Sequence, residues 1–486
     1  MRRRRVLVFV AGAVVLLGTG CGRAAAGRPH TMLRHESAGS AADRSHPVLR
    51  QVSSGAAGSW GRAIAVPGLA ALNKGREAVV LSVSCSLAGN CGAGGYYHDG
   101  GRRGFVDSET NGRWRQAVEV PGLAALSKGG PGQVVEVSCA SAGSCAAGGF
   151  YRYGGGHHQG FVVNTSNGGW RQAIQVPGLA ALNKGGDAEV ISVSCAARGS
   201  CAAVGFYTDG SGHQHGFVAT EQSGVWGKAI EVPGLAALQK GPYARLQSVS
   251  CSSAGSCSAG GFYAANASGS TQAFAVSERN GSWGTAKEVA ANLNTGRDAE
   301  VTSVSCASAG NCAAGGQYSK ASGHDQAFVI SEANGTWAAA RAVAGTLSCC
   351  GFAQVTSVSC ASAGNCAAGG QYDFGGYNAA FLVNEKNGDW GKPMSVPGLN
   401  AVSRDEHLSS VSCASAGNCA AGGNDDVGTW LAREKNGVWG KETTVPGTLP
   451  IQAVQSVSCA SARNCVAGGS YVAPGPGYAL QGFVTR

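Results

Sequence analysis

The sequence predicts an all-β fold, an eight-bladed β-propeller, and three observations carry the prediction. Sixteen of the 19 cysteines fall into eight Cys-x5-Cys pairs, and the segment around each pair recurs with a period of roughly 50 residues. Glycine accounts for 78 of the 486 residues while only 13% are charged, a composition that suits many short strands and turns better than helices.

The pairs are Cys85 and Cys91, Cys139 and Cys145, Cys195 and Cys201, Cys251 and Cys257, Cys306 and Cys312, Cys360 and Cys366, Cys413 and Cys419, and Cys459 and Cys465. One copy shows the unit. Glu189-Val190-Ile191-Ser192-Val193-Ser194-Cys195 reads as a strand, and Cys201-Ala202-Ala203-Val204-Gly205-Phe206-Tyr207 reads as its antiparallel partner beyond a polar tip. Cysteines flanking so short a tip face each other across the hairpin, where a cross-strand disulfide closes. Zinc or thioredoxin-type chemistry would call for Cys-x2-Cys spacing, which the pairs lack. After a variable loop come Phe217-Val218, a turn at Ser223-Gly224, and Trp226 to Pro233. In most copies that turn is Asn-Gly, as in Asn111-Gly112, Asn280-Gly281, Asn334-Gly335, Asn387-Gly388 and Asn436-Gly437, the strongest short hairpin signal. Four antiparallel strands repeated radially make a propeller blade.

The chain ends predict how the ring closes. Gly482-Phe483-Val484 stops at the third strand of the blade begun by Cys459 and Cys465, and Trp60 to Pro67 is a fourth-strand copy that precedes any first strand. Joining them leaves no free sheet edge, whereas a solenoid would call for polar caps at both ends. Phe105, Phe161, Phe217, Phe274, Phe328 and Phe381 each lie nine residues before their blade's tryptophan, and Trp430 holds that place before Trp439. Gln51 stands there before Trp60, so Phe483 is expected to supply the missing aromatic from a third strand at residues 481–485.

The expected boundaries are a signal peptide over residues 1–20, a flexible tether over 21–47 and the propeller over 48–486. Arg2 to Arg5 followed by the apolar run Val6 to Leu17 has the order of an export signal, and the run falls short of the roughly 20 residues that a spanning helix needs. Residues 22–47 carry too few apolar side chains to offset chain entropy. Two exits from the signal are open. Gly18-Thr19-Gly20-Cys21 resembles a bacterial lipobox, which implies acylation of Cys21, and Ala24-Ala25-Ala26 offers cleavage after residue 26. Arg3-Arg4-Arg5-Val6-Leu7 also resembles a loose twin-arginine signal.

Loss of residues 1–20 removes four arginines and no acid, so a net charge of +9 (37 basic, 28 acidic) falls to +5 (33 basic, 28 acidic). Charge so weak and scattered, without a stacking platform of aromatics, excludes a nucleic-acid partner. The cysteine content fits an oxidising exterior. The expected location is therefore extracellular or at the cell envelope, either secreted or held to the outer face of the cytoplasmic membrane through the N-terminal lipid alone. Cys349 and Cys350 are neighbours outside the repeat, with both a vicinal disulfide and free thiols open to them.

Ser331-Glu332-Ala333-Asn334-Gly335-Thr336-Trp337, with its relatives Ser277 to Trp283 and Asn384 to Trp390, resembles the Asp-box (BNR) turn of sialidase-like propellers, though it is one residue shorter and places Asn-Gly where that box has an acid and a later glycine. The Ser-Val-Ser-Cys hairpin also looks like repeats of secreted bacterial proteins. The resemblance implies that the Ser-Val-Ser-Cys strand lines the central channel and that the tryptophan strand is outermost. Eight-bladed quinoprotein dehydrogenases share the blade number and repeated tryptophans, but their Thr-Gly-Trp docking motif and a calcium ligand set are absent here.

No cofactor or metal is expected, and no catalytic set can be assembled: Gly-x-Ser-x-Gly, His-Glu-x-x-His and P-loop motifs do not occur, and no pair of carboxylates stands out for glycoside hydrolysis. Function on a propeller sits on the loops between blades and between second and third strands. Those loops carry His98, Arg102, Arg103, Tyr151, Tyr153, His157, His158, His213 and His215 in the first three blades, and His324 in the fifth. Of these, His98, Tyr153, His157, His158, His213 and His215 are the candidate ligand-binding residues; solvated histidines in glycine-rich loops are the plainer reading. Lys74, Lys128, Lys184 and Lys240 recur in the inter-blade sequence Gly-Leu-Ala-Ala-Leu-x-Lys-Gly, as a row for an acidic polymer or as a remnant of duplication. The expected function is a monomeric binding or scaffolding module for a glycan or an envelope protein, with a carbohydrate hydrolase as the alternative.

Overall fold

The computed structural model describes residues 60–343, 351–399, 405–475 and 478–485. Trp60–Arg486 form one compact unit. Cys21, Cys349, Cys350 and residues 48–59 lie outside the described residues.

Eight antiparallel sheets follow one another around a ring. In the third blade, Ala188–Ala197, Ser200–Thr208 and Gln214–Gln222 form a meander. Its fourth strand is in two pieces, Val225–Trp226 and Ile230–Glu231, both paired with Gln214–Gln222. The turn before Trp226 has Ser223 at φ 52° and Gly224 at φ 82°, and Asn334 and Gly335 repeat this at 48° and 79°. Two consecutive positive φ values are the type I′ geometry that Asn-Gly favours.

All eight expected disulfides close, each between residues directly opposite in register, such as Cys195 and Cys201. A β-bulge recurs in every first strand, between Val190 and Ser192 in the third blade. An inserted residue resets the alternation of side chains, so Val190 and Val193 face the same way and both press on Gly148 of the preceding blade. A β-carbon at Gly148 would lie 2.5 Å from Val193, and one at Gly205 would lie 1.9 Å from the Glu189 carbonyl oxygen. The two glycines of the Cys-x-Ala-Gly-Gly motif thus serve two contacts, one between blades and one within the bulge.

The first strands line the axis and are clasped laterally by serine. Each Ser just before a first-strand cysteine accepts from the N–H of the next blade's cysteine: Ser84 from Cys139, Ser138 from Cys195, Ser194 from Cys251, and onward to Ser412 from Cys459, at 2.9 Å. Ser458 completes the circle with Cys85 at 2.9 Å. Two residues earlier a second ring does the same for the valine N–H groups, as Ser192 does for Val249. In that ring seven positions are serine and one is Glu136, whose Oε2 accepts from Val193 N at 2.8 Å. Ser194→Ala should cost about 1 kcal/mol, because the Cys251 N–H loses its acceptor while the strand stays in place; an unchanged urea midpoint would show that the serine ring contributes nothing.

Five tryptophans, Trp170, Trp226, Trp283, Trp390 and Trp439, bond across to the preceding blade. Trp226 Nε1 donates to Asn164 Oδ1 of the preceding blade at 3.1 Å, and Asn164 Nδ2 donates to Glu221. Trp283, Thr220 and Glu278 repeat the relay, as do Trp390, Ser331 and Glu385, and Trp439, Asn384 and Glu434. Glu221, Glu278, Glu385 and Glu434 in these turns are therefore structural acceptors. The last blade closes as the chain ends require: Ile64 pairs with Val484 and Ala65 with Phe483, within a third strand Leu480–Thr485. Phe483 is fully buried like the phenylalanine of six other blades, with Trp430 in the eighth place.

Candidate functional site

Because strands alternate in direction, the disulfide tips and Asn-Gly turns share one face, and the inter-blade loops and second-to-third-strand loops share the other. On that second face the loop sequence Gly-Leu-Ala-Ala-Leu folds into a single helical turn. In the seam before the third blade, Gly178 takes φ 74°, Leu179–Leu182 is helical and Leu179 is fully buried. The next residue, Asn183, donates to the His158 carbonyl at 3.0 Å and to Gln159 Oε1 at 2.6 Å. It thereby holds the start of the second blade's third strand against the third blade.

This clamp sets a converging group of three ionisable side chains on the face. His158 lies on the strand His157–Ser166, and Asp187 and Glu189 lie at the start of the next blade's first strand. His158 Nδ1 is 3.1 Å from Glu189 Oε1 and 3.3 Å from Asp187 Oδ1. Hydrogen bonds to Asp187 and Glu189 push the imidazole pKa up to about 9, so it is protonated at neutral pH. The ring packs on Phe150, 5.1 Å between centroids. In the following seam Arg245 lies 4.1 Å over Phe206 and donates to Gln214 Oε1 at 2.9 Å. In the seam before, Arg102 lies 4.3 Å over Tyr96 and donates to Gln133 Oε1 at 3.2 Å, with its other nitrogen 3.7 Å from Glu77.

The sequence candidates separate. His98 pairs with Glu77 at 3.7 Å, His215 with Asp209 at 3.3 Å, and His157 packs near Tyr153 at 5.9 Å. His213 and His324 are exposed. Tyr151 is a core residue, 4% exposed, at the position held by Tyr97 and Tyr207 in neighbouring blades; counting it among the loops placed the end of the second strand too early. The residues that sequence reading missed are the acids that answer the histidines: Glu77, Asp187, Glu189, Asp209 and Glu231. The available signal was positional, since Glu77 and Asp187 each stand eight residues before a first cysteine. Lys74, Lys128, Lys184 and Lys240 are exposed at the ends of the helical turns, with Lys74 3.6 Å from Asp99.

Two further carboxylates bear on chemistry. Burial pushes Glu136 in the serine ring up to about 7, and burial with Asp325 and Asp298 nearby does the same for Glu300.

Fold and site define a disulfide-clipped eight-bladed propeller whose loop face carries charged, aromatic-backed seams on its first blades. No protein-family model and no curated protein matches the chain. Solved structures that it resembles include the GH74 xyloglucanase of Xanthomonas campestris, 11% identical with a TM-score of 0.46, covering 85% of this chain and 60% of the enzyme. A PL25 ulvan lyase is 9% identical with a TM-score of 0.42, covering 74% and 94%. The Trypanosoma rangeli sialidase is 11% identical with a TM-score of 0.36, covering 72% and 52%. At these identities no activity or residue role passes to this chain. Its eight disulfides fit an oxidising exterior, and no helix among the described residues is long and apolar enough to cross a membrane.

Proposed function

We propose that the protein is a glycan-binding module of the cell envelope, engaging its ligand on the loop face of the first four blades. The carrying observation is an asymmetry among copies of one unit. Opposite the first strand, blades one to four place Tyr96, Phe150, Phe206 and Phe262, whereas blades five to eight place Gln317, Gln371, Asn424 and Ser470. The framework makes the same demand of every copy, so a change of chemistry confined to half the face supports a binding role there. Guanidinium, carboxylate and amide groups held in pairs, as at Arg102, Glu77 and Gln133, suit the vicinal hydroxyls of a sugar. In this reading the N-terminal tether, acylated at Cys21, carries the propeller away from the membrane.

Glu136 favours a second reading, hydrolysis. A carboxyl that burial raises to about 7 is partly protonated at neutral pH, as a general acid must be. One experiment separates the two: incubate the mature chain with envelope polysaccharide fragments and follow both retention and fragment mass. Retention at unchanged mass, weakened about tenfold by Arg102→Ala, which is about 1.4 kcal/mol, is the expected result. Loss of mass would make the protein an enzyme and direct attention to Glu136, and the absence of both signals would overturn the glycan reading.

A further inference from the structure

We infer that His158, Asp187 and Glu189 form a binding site for a divalent transition-metal ion of the zinc class. One atom from each residue converges, all three within 4.8 Å of one another, and among the described residues this is the single group of three such side chains that does so. The two short separations, 3.1 and 3.3 Å from His158 Nδ1, match the ligand-to-ligand edge of a tetrahedral ion with bonds of about 2.0–2.1 Å, an edge of roughly 3.3 Å. An ion at the centre takes the place of the Nδ1 proton that the two carboxylates share, and its binding releases that proton to solvent.

The scaffold is already rigid. His158 N donates to the Gly186 carbonyl at 2.8 Å and the segment bridges to Asp187, while Asn183 holds the His158 carbonyl from the other side. Glu189 is 4% exposed on a channel-lining strand. Binding thus calls for no backbone rearrangement. An imidazole with two carboxylates selects zinc-class ions over calcium or magnesium, which prefer oxygen alone. Three protein ligands leave a fourth position for water or for an oxygen of a bound molecule.

The other seams serve as internal comparisons. Where the second-to-third seam has His158, Asp187 and Glu189, the first-to-second has Arg102, Pro131 and Gln133, and the third-to-fourth has Gln214, Tyr243 and Arg245. The fourth-to-fifth keeps both acids, Asp298 and Glu300, but has Thr271 in place of histidine, and Thr271 Oγ1 donates to Asp298 at 3.2 Å. Acids alone are therefore present elsewhere without the imidazole that completes the set.

The test uses Zn2+ alone, without polysaccharide, so its outcome is independent of the glycan reading. The full mature chain is dialysed against Zn2+ and its metal content measured, then Co2+ is substituted and its visible ligand-field bands recorded. A single equivalent of Zn2+ and tetrahedral-type Co2+ bands are expected, both lost in His158→Ala and Glu189→Gln and both kept in His213→Ala and in Asp298→Asn. Zinc content that stays the same in His158→Ala, or no stoichiometric binding to the wild type, would overturn the site and leave an ion pair. Near-ultraviolet circular dichroism of each variant confirms that the seam is folded before its metal content is compared.

Discussion

Reduction of the eight hairpin disulfides is expected to unfold this propeller at temperatures where the oxidised protein is intact. Each bridge closes a loop with a sequence separation of 6, which on the chain-entropy estimate contributes about 2 kcal/mol. Eight such contributions approach ~16 kcal/mol, at or above the roughly 5–15 kcal/mol of net stability that native proteins carry. One bridge is a small matter and eight together are the difference between folded and unfolded. Paired Cys195→Ala and Cys201→Ala replacement should accordingly cost about 2 kcal/mol, leaving the fold in place. Cys91, Cys201 and Cys465 are nearly buried, so reduction has to be carried out in denaturant and the reduced chain then returned to buffer. Tryptophan fluorescence reports the outcome, since most indoles bond across blade seams. A reduced chain that refolds with its melting point within a few degrees of the oxidised one would show that the sheets need no clips.

Replacing Asp107 by valine should stabilise the protein, by about 4 kcal/mol at pH 8 and far less at pH 4. Asp107 lies on the third strand of the first blade and is 2% exposed. The equivalent residues in the next blades are Val163, Ala219, Val276 and Ile330, all buried. Its Oδ1 accepts from Ser108 N at 2.7 Å, and Oδ2 is buried without a hydrogen-bond partner. Burial pushes the pKa up to about 7, against smaller opposing effects of the Ser108 N–H and Arg115. With the folded value above the unfolded one, the unfolded chain loses its proton first as pH rises, so the cost of the charge is absent below about pH 4 and complete above about pH 7. Urea unfolding at pH 4, 6 and 8 measures this directly. Asp107→Asn should flatten the pH dependence without the full gain, because a polar group remains in an apolar place. A valine variant with the same midpoint as wild type at pH 8 would mean that the carboxylate is satisfied in solution.

Much of the fold was legible because the features that specify it are local and repeated. Cys-x5-Cys implies a cross-strand bridge from loop length alone, Asn-Gly implies a type I′ turn from backbone preference, and the phenylalanine nine residues before each tryptophan marked the core position that Phe483 fills at closure. The site was far less legible. His157 and His158 are adjacent in sequence, yet strand alternation sends one beside Tyr153 and the other onto Phe150 and the acids of the next blade. His213 and His215 part for a different reason: His213 precedes the strand Gln214–Gln222 and is exposed, whereas His215 lies within it and pairs with Asp209.

By itself the sequence determined the blade count, the strand order, the disulfide pairing and the shared closing blade, since each follows from spacing within one repeat or from which strand is missing at which end. Only the tertiary structure decided which side chains meet across seams. His158 and Glu189 are 31 residues apart, and their 3.1 Å separation depends on the bulge that sets the register of one blade and on Asn183 clamping it to the other. Contacts between blades arise from how two rigid sheets dock, and no spacing within either repeat encodes that distance.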